Sequence, residues 1–280
     1  MLSHFQNKLI VITGAASGIG RATAKLLASQ GALLSLADQN KDSLAALRAE
    51  IANSLAADAS SDRGSGSPIF TAVVDVRSQD ACNNWIHDTL AHFEGISIAG
   101  AANIAGVTNR PGCTEPIPAH KVDDAEMDFV WDVNVRGVVN SLRAQLPHMQ
   151  QGTNGRGGAS IVNAGSISGL MGLPGYLPYV SSKHAVIGMT RTAAKDEGPR
   201  GIRVNAIAPG MINTPLLRAV AESRGSNPSH EMFGSKAGPT PALDRLGDAE
   251  EVAEVVAFLL SPKSSYVNGA VIPIDGGLLM

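Results

Sequence analysis

Short, uninterrupted runs of apolar residues recur along the chain, and longer segments with helical spacing of apolar positions separate them. Apolar runs of this length are typical of strands that are buried on both faces of a parallel sheet. The pattern predicts seven strands, at residues 9–13, 32–38, 70–74, 96–104, 160–164, 202–207 and 271–274. It predicts helices at residues 21–28, 41–55, 79–93, 123–150, 179–198 and 249–260. This alternation indicates an α/β protein with a doubly wound parallel sheet and helices on both faces.

Two segments fall outside the alternation. Residues 56–68 are rich in Ser, Ala, Asp and Gly, which predicts a flexible surface insert without chemistry. Residues 211–241 are long and have little strand signal, and such a segment after a strand end predicts a lid over a substrate. Neither segment divides the chain, so residues 1–280 are expected to form one domain. Within the helix predicted at 123–150, Asn134 is a poor helix former and indicates a local irregularity.

A glycine-rich turn, GAASGIG from Gly14 to Gly20, joins the first strand to the first helix. Its spacing is G-x-x-x-G-x-G, which does not match the general dinucleotide fingerprint G-x-G-x-x-G. A glycine-rich turn after a strand is often only a turn. Here the helix N-terminus that follows would direct free N–H groups and the positive end of the helix dipole at a diphosphate. We therefore interpret the turn as a nucleotide-binding site.

The second strand ends in an acidic residue, Asp38, which lies 18 positions after Gly20. A carboxylate at this place accepts hydrogen bonds from the ribose hydroxyls of adenosine and repels a 2′-phosphate, which favours NAD over NADP. The neighbours Ala15, Ala16 and Gln39 carry no positive charge, so no nearby cation is expected. The alternative is that Asp38 caps the helix that follows it.

Tyr179 and Lys183 lie four residues apart at the start of a predicted helix and therefore share one face of it. An ammonium beside a phenol favours the phenolate, so Lys183 is expected to lower the pKa of Tyr179 and make it an acid/base catalyst near neutral pH. Ser166 follows the strand at 160–164, at the sheet edge where α/β proteins collect their chemistry. Taken alone, Tyr179 and Lys183 are more often an ordinary half-exposed pair, because a four-residue Tyr–Lys spacing is common; the motifs described below reverse this interpretation.

Composition narrows the range of functions. The net charge is −3 and charged residues make up 17% of the chain, which does not indicate a nucleic-acid partner or an anionic membrane surface. The two cysteines and seven histidines show no metal-ligand spacing, so no metal is expected. No apolar run of about 18 residues and no signal sequence is visible, so we expect a cytoplasmic protein without a membrane partner.

Motifs along nearly the whole chain resemble those of the short-chain dehydrogenase/reductases. They are TGAASGIG from Thr13 to Gly20, Asp75-Val76, Asn103-Ile-Ala-Gly106, Asn134, Ser166, Tyr179-x-x-x-Lys183 and RVNAIAPG from Arg203 to Gly210. Each motif is modest alone, but their combination in this order is specific. The sequence departs from the family at Ile104, where many relatives have a second Asn, and in the serine-rich insert before Pro68. The resemblance implies a single-domain, Rossmann-type fold.

The resemblance also implies a catalytic tetrad of Asn134, Ser166, Tyr179 and Lys183. In the family, Tyr179 would exchange a proton with the substrate oxygen, and Ser166 would orient that oxygen. Lys183 would lower the Tyr pKa and bind the nicotinamide ribose, while Asn134 would hold a water that relays protons to solvent. The implied NAD site comprises Gly14, Ser17, Gly18, Ile19, Gly20, Asp38, Asp75, Val76, Asn103, Ala105, Gly106, Tyr179, Lys183, Pro209, Gly210, Ile212 and Thr214. Relatives are usually homotetramers, and a homotetramer is expected here.

The leading hypothesis is an NAD-dependent dehydrogenase that interconverts a secondary alcohol and a ketone, mainly as an oxidation. The expected pocket residues are mostly apolar, which favours a bulky steroid-, terpenoid- or polyketide-like small-molecule substrate. They are Met171, Leu173, Tyr176, Met211, Leu216, Leu217, Met232 and Phe233. Two alternatives are an isomerase, dehydratase or cyclase on the same fold and a non-catalytic dinucleotide-binding protein. The intact tetrad argues against both.

Overall fold

The computed structural model describes residues 4–57, 67–111, 113, 115–223 and 240–279. Its centre is a seven-stranded sheet of order β3-β2-β1-β4-β5-β6-β9, in which every neighbouring pair is parallel. The strands are β1 (Leu9–Thr13), β2 (Leu33–Asp38), β3 (Ile69–Val73), β4 (Ile98–Asn103), β5 (Ser160–Ala164), β6 (Arg203–Pro209) and β9 (Val271–Ile274). A separate two-stranded parallel pair is formed by β7 (Ile212–Asn213) and β8 (Gly247–Asp248).

Helices cover both faces of the large sheet. They are α1 (Gly18–Ser29), α2 (Lys41–Ala57), α3 (Gln79–His92), α4 (Asp124–Trp131), α5 (Gly137–Gln145), α6 (Leu177–Glu197), α7 (Pro215–Ser223) and α8 (Ala249–Leu260). Apolar side chains of α1, α2 and α8 form one core on one face, and those of α3, α5 and α6 form a second core on the other. Burial on both faces explains why the strands are apolar throughout, as the pattern of the sequence predicted.

Strand order reverses between β1 and its neighbour β4. Thr13 at the end of β1 pairs with Ala37 of β2 on one side and with Asn103 of β4 on the other. Connections from β1 and β4 leave toward opposite faces of the sheet, which opens a crevice at the carboxyl ends of these strands. Ligands of doubly wound sheets bind in such a crevice, and the predicted site residues gather here.

The structure confirms the predicted Rossmann-type fold and all seven strands, and it refines two segments. The helix predicted at 123–150 is interrupted by a π-helical turn at Asp132–Arg136, which is the irregularity that Asn134 indicated. The segment predicted as a lid contains the strand β7 and the helix α7, neither of which was predicted. Residues 224–239 of that segment, and residues 58–66 of the predicted insert, lie outside the described residues.

Candidate active site

Ser166, Tyr179 and Lys183 meet at the carboxyl end of β5. Ser166 follows the last residue of this strand after one glycine, and its hydroxyl accepts a hydrogen bond from the N–H of Ser168 at 3.1 Å. Tyr179 lies in the first turn of α6, directly after Pro178, whose missing N–H is tolerated there. Lys183 is one turn further along the same face. The sequence spacing therefore predicted this juxtaposition correctly.

The Lys183 ammonium is held under the site, away from bulk solvent. Its side chain is buried, and Nζ donates a hydrogen bond to the carbonyl oxygen of Ala164 at 2.8 Å. Nζ also lies 5.6 Å from the centre of the Tyr179 ring. Burial disfavours the charged form and lowers the pKa of Lys183 from 10.5 to about 8.

Tyr179 differs from the expectation in one respect. Burial raises the pKa of its phenol above the ordinary value of 10, and the hydrogen bond with the Ser166 side chain only partly opposes this shift. We expected Lys183 to lower the pKa, but in this structure burial is the larger effect for both groups. Sequence spacing shows that two groups are close, but it does not show how much water each loses.

We expect Lys183→Met to stabilise the cofactor-free protein at pH 7. The unfolded chain binds a proton on this lysine up to about pH 10.5, whereas the folded chain releases it near pH 8. Burial of the ammonium therefore destabilises the fold fully below pH 8, and the effect fades between pH 8 and pH 10.5. The shift corresponds to at most ~3 kcal/mol, from which the lost bond to Ala164 must be subtracted. Urea unfolding of both proteins at pH 7 and pH 10 measures this. The advantage of the variant should shrink at pH 10, and a variant that is less stable at pH 7 would contradict the prediction.

Asn134 lies in the π-helical turn and is fully buried. Its Oδ1 accepts from the N–H of Val107 at 2.9 Å, while Nδ2 donates to the Val107 carbonyl at 2.9 Å and to the Ser182 hydroxyl at 3.0 Å. A Cβ atom added to Gly106 would lie 3.2 Å from both Asn134 Oδ1 and Lys183 Nζ, so the three residues are in close approach. The Asn134 side chain therefore ties the loop after β4 to α6. Both amide hydrogens of the Asn134 side chain already have protein partners. The expected water relay through Asn134 stays a prediction.

The glycine-rich turn forms a tight cradle at the N-terminus of α1. Gly14 and Gly18 have φ angles of +66° and +48°, in the left-handed region that favours glycine. A Cβ on Gly20 would lie 2.1 Å from the carbonyl oxygen of Gly14. The turn packs against itself, and it lines a cavity in front of the helix N-terminus. The residues therefore fit a dinucleotide diphosphate, which needs close backbone approach and free N–H groups.

We expect Gly20→Ala to weaken NAD binding at least tenfold, because its methyl group would displace the backbone of Gly14. Gly188→Ala is the matched control: it also lies within a helix, but no atom lies within 4 Å of its added Cβ. Replacing a glycine by alanine within a helix stabilises by ~1 kcal/mol, so the control should bind NAD normally. Calorimetric titration with NAD measures both variants. Normal affinity of the Gly20 variant would show that the turn does not touch the cofactor.

Asp38 lies at the open end of β2, on the wall of the same cavity. Its Oδ2 accepts from the N–H of Ala16 at 3.0 Å, and its Oδ1 accepts from the N–H of Asn40 at 3.0 Å. The alternative role as helix cap belongs to Asn40, whose side chain accepts from the N–H of Ser43 in the first turn of α2. Asp38 is thus fixed beside the glycine-rich turn, as expected for a ribose ligand.

Arg77 corrects the expectation that no cation lies near Asp38. It lines the same cavity, although it is 39 positions away along the chain. Its guanidinium is held by Asp75: Nε donates to the two carboxylate oxygens at 3.0 and 2.9 Å, and Nη2 donates at 2.6 Å. It also lies 5.6 Å from the centre of the Phe129 ring. The prediction from the sequence considered only Gln39, which follows Asp38, and residues of the glycine-rich turn. Arg77 comes close to Asp38 because β2 and β3 pair in the sheet, so that the residues after both strands line one cavity.

Most predicted cofactor ligands line the crevice. Those on its walls are Gly14, Ser17, Gly18, Ile19, Asp38, Asp75, Val76, Ala105, Gly106, Tyr179, Lys183, Pro209, Gly210, Ile212 and Thr214. Gly20 lies beneath the turn, and Asn103 points into the core. The Asn103 side chain donates to Asn163 Oδ1 at 2.9 Å and accepts from Gln145 Nε2 at 2.9 Å. In the described structure, Asn103 therefore supports the sheet and does not reach the cavity wall.

A second cavity of about 220 Å³ adjoins the first at Ile19, Gly106 and Thr214. Six of the eight predicted pocket residues line it, namely Met171, Leu173, Tyr176, Met211, Leu216 and Leu217, together with Ser166 and Tyr179. Met232 and Phe233 lie outside the described residues. Sequence reasoning missed Thr108, Ser168, Val220 and Leu278.

Comparison with known proteins agrees with this geometry. The family model described as Enoyl-(Acyl carrier protein) reductase matches residues 14–279. The short-chain dehydrogenase/reductase aba4 of Botryotinia fuckeliana is 46% identical, over 98% of this chain and 97% of that protein. Levodione reductase of Leifsonia aquatica is 37% identical, over 98% of this chain and 95% of its own length. The chain belongs to the short-chain dehydrogenase/reductase family.

Solved structures show the same fold. A crystal structure of levodione reductase has a TM-score of 0.83 and 35% identity, and the match covers 98% of both chains. A 3-ketoacyl-(acyl-carrier-protein) reductase from Brucella melitensis, crystallised with NADH, has a TM-score of 0.79 and 27% identity over 99% of this chain and 100% of its own. The protein is thus an oxidoreductase of this family and binds a nicotinamide dinucleotide. No helix within the described ranges has the length and apolarity needed to span a membrane.

Proposed function

We propose that the protein is an NAD(H)-dependent oxidoreductase that interconverts a secondary alcohol and a ketone. One observation carries this proposal: the Ser166 and Tyr179 hydroxyls lie in an apolar cavity that opens directly onto the dinucleotide cavity. A substrate oxygen at these hydroxyls would place its carbon toward the junction of the two cavities. When bound, the nicotinamide supplies or accepts a hydride at that carbon.

The residues of the site divide the proton chemistry among them. During oxidation, Tyr179 takes the hydroxyl proton of the alcohol, and during reduction it donates a proton to the carbonyl oxygen. Ser166 hydrogen-bonds the same oxygen and stabilises the charge that develops on it. Lys183 holds a positive charge beneath the site, which opposes the effect of burial on the Tyr179 phenol when the phenolate has to form. Asn134 ties the loop before the site to α6 and so holds the Lys183 helix in place.

The chemistry of the cavity that contains Ser166 and Tyr179 supports a bulky, apolar substrate. Its lining is dominated by aliphatic and Met side chains, and Lys183 is the only Lys or Arg among the described residues that line it. A phosphate or carboxylate substrate would therefore lack a second cation to bind it. We propose a steroid-, terpenoid- or polyketide-like alcohol, with oxidation as the main direction because NAD is the preferred cofactor.

Ser166→Ala should lower kcat by about 10²–10³-fold and leave cofactor affinity nearly unchanged. The hydroxyl would stabilise charge that develops on the substrate oxygen in the transition state, and loss of one such donor has effects of this size. Steady-state kinetics together with NAD titration separate the two effects. An effect confined to NAD affinity would instead assign Ser166 to the cofactor.

The proposed reaction is tested by mixing protein, NAD and a panel of bulky secondary alcohols and recording the absorbance band of reduced nicotinamide. We expect the band to grow with at least one apolar cyclic alcohol. The two alternatives predict no growth: an isomerase or dehydratase would change the alcohol without net reduction of NAD, and a dinucleotide-binding protein would bind NAD without changing the alcohol. The presence of all four tetrad residues in one site argues against both alternatives.

We also propose a homotetramer in the cytoplasm. The family resemblance assigns subunit contacts to the helices here called α4 to α6 and to the segment after residue 248. On these elements Leu177 and Phe258 are each 45% exposed, and such subunit contacts would bury them further. Light scattering of the purified protein tests the tetramer.

A further inference from the structure

One hydroxyl group in the substrate cavity has no part in the tetrad chemistry. Ser168 lines the cavity and is only 7% exposed. It lies in the 3₁₀ turn Ile167–Gly169, immediately after Ser166. Around it the cavity wall is formed by apolar side chains such as Met171 and Leu173. Among the described residues, the fully buried side-chain atoms without a partner are Thr23 Oγ1 and Gln145 Oε1, so the Ser168 oxygen either has a partner or reaches the open cavity.

Within the part of the chain that the structure describes, the Ser168 side chain has no hydrogen-bond partner. Its backbone N–H donates to Ser166 Oγ at 3.1 Å, but no described atom bonds the Ser168 hydroxyl itself. The neighbouring hydroxyls are engaged: Ser166 accepts this N–H, and Ser182 donates to the Tyr179 carbonyl oxygen at 2.7 Å. The Ser168 hydroxyl is thus a donor and acceptor available to a molecule in the cavity.

The position of this hydroxyl limits where on a substrate its partner could be. Ser166 Oγ is 3.1 Å from the Ser168 nitrogen, and covalent geometry puts a serine hydroxyl within ~3.7 Å of its own nitrogen. The two hydroxyl oxygens are therefore at most ~7 Å apart, so two substrate oxygens that bind them belong to one small part of the molecule. Oxygens on adjacent carbons are separated by ~3 Å, and those one carbon further apart by up to ~5 Å.

We propose that Ser168 is a specificity-determining residue that binds a second oxygen of the substrate, one or two carbons away from the reacting carbon. The substrate class is then a bulky, apolar alcohol or ketone that carries a vicinal or 1,3-related hydroxyl or carbonyl group. This inference rests on the proposed function. In the oxidation, the carbinol C–H bond breaks, its hydride passes to the cofactor and the hydroxyl proton passes to Tyr179, while the second oxygen keeps all its bonds.

Borneol and its vicinal diol, bornane-2,3-diol, are a matched pair of probes that share one carbon skeleton. With NAD, we expect Ser168→Ala to lower kcat/KM for the diol about three- to tenfold, the effect of one hydrogen bond, and to change that for borneol less than twofold. Ser168→Thr keeps the hydroxyl and should restore most of the preference for the diol. Equal effects on both alcohols, or no effect on either, would overturn the proposal.

Binding to the Tyr179→Phe protein loaded with NAD tests the same proposal without turnover. Calorimetry should show that adding Ser168→Ala weakens the binding of the diol about three- to tenfold and leaves the affinity for borneol unchanged. If this difference appears but the wild type reduces no NAD, the proposed function fails and the role of Ser168 stands. If the wild type oxidises both alcohols and neither variant distinguishes them, the role of Ser168 fails and the proposed function stands.

Discussion

Tyr179→Phe should reduce turnover by about 10²–10⁴-fold while NAD binds with nearly unchanged affinity. The substitution removes only the phenolic oxygen, which is the group that would exchange a proton with the substrate. The ring remains against Lys183, whose Nζ keeps its bond to the Ala164 carbonyl. Stopped-flow kinetics and NAD titration of the same preparation separate chemistry from binding.

Tyr176→Phe is the matched control for this prediction. Tyr176 lines the same cavity and begins the same helix, but it lies outside the pair formed with Lys183. Loss of the Tyr176 hydroxyl should change kcat less than tenfold. Near-normal kcat in the Tyr179 variant, or equal losses in both, would remove Tyr179 from the role of acid/base catalyst.

NAD should be preferred over NADP by at least about 100-fold in kcat/KM. The 2′-phosphate of NADP would lie beside the Asp38 carboxylate, and two like charges ~4 Å apart repel by about 1 kcal/mol in water and about 4 kcal/mol at an effective dielectric constant of 20. The hydrogen bonds from Asp38 to the ribose hydroxyls would also be lost. Each 1.4 kcal/mol is about tenfold, so these effects together exceed two powers of ten.

Arg77 makes this prediction sharper. Although cationic, it is neutralised by its bonds to both Asp75 oxygens, so Arg77→Ala should leave the NAD preference in place. Asp38→Ala should reduce the preference for NAD, mainly by weakening the binding of NAD. Adding Gln39→Arg to this variant should raise kcat/KM with NADP. Paired kinetics with both cofactors on these variants provide the test. Equal use of NAD and NADP by the wild type would show that Asp38 does not face the ribose, and a preference that rises in Arg77→Ala would show that Arg77 reaches the phosphate.

The fold was predictable because each element carries its own pattern. The seven strands are short apolar runs, and the glycine turn has a strand on one side and a helix on the other. The π-helical turn was visible as an irregularity at Asn134, although its form was not. In contrast, α7 was missed although its apolar residues recur with helical spacing, because this short helix lies in a long segment that was interpreted as one lid. It begins after Thr214, whose hydroxyl accepts from the N–H of Leu217.

The site could be predicted where spacing along the chain determines which side chains meet. It could not be predicted where the pairing of strands in the sheet determines this. Tyr179 and Lys183 share a helix turn, so four residues of spacing were enough. Arg77 reaches the Asp38 cavity only because β2 and β3 pair, and Ser168 enters the substrate cavity only because a 3₁₀ turn follows β5. The pKa values of Tyr179 and Lys183 depend on burial, which no spacing reveals.

Hydride transfer itself can be followed with an isotope. Borneol that carries deuterium on its carbinol carbon is incubated with the wild-type protein and NAD, and the recovered cofactor is analysed by mass spectrometry. We predict reduced nicotinamide dinucleotide with one deuterium per molecule, together with an equal amount of camphor, and at least about 100-fold slower formation of both products by the Tyr179→Phe protein. Conversion of the alcohol without deuterium in the cofactor would contradict an oxidoreductase that acts by direct hydride transfer.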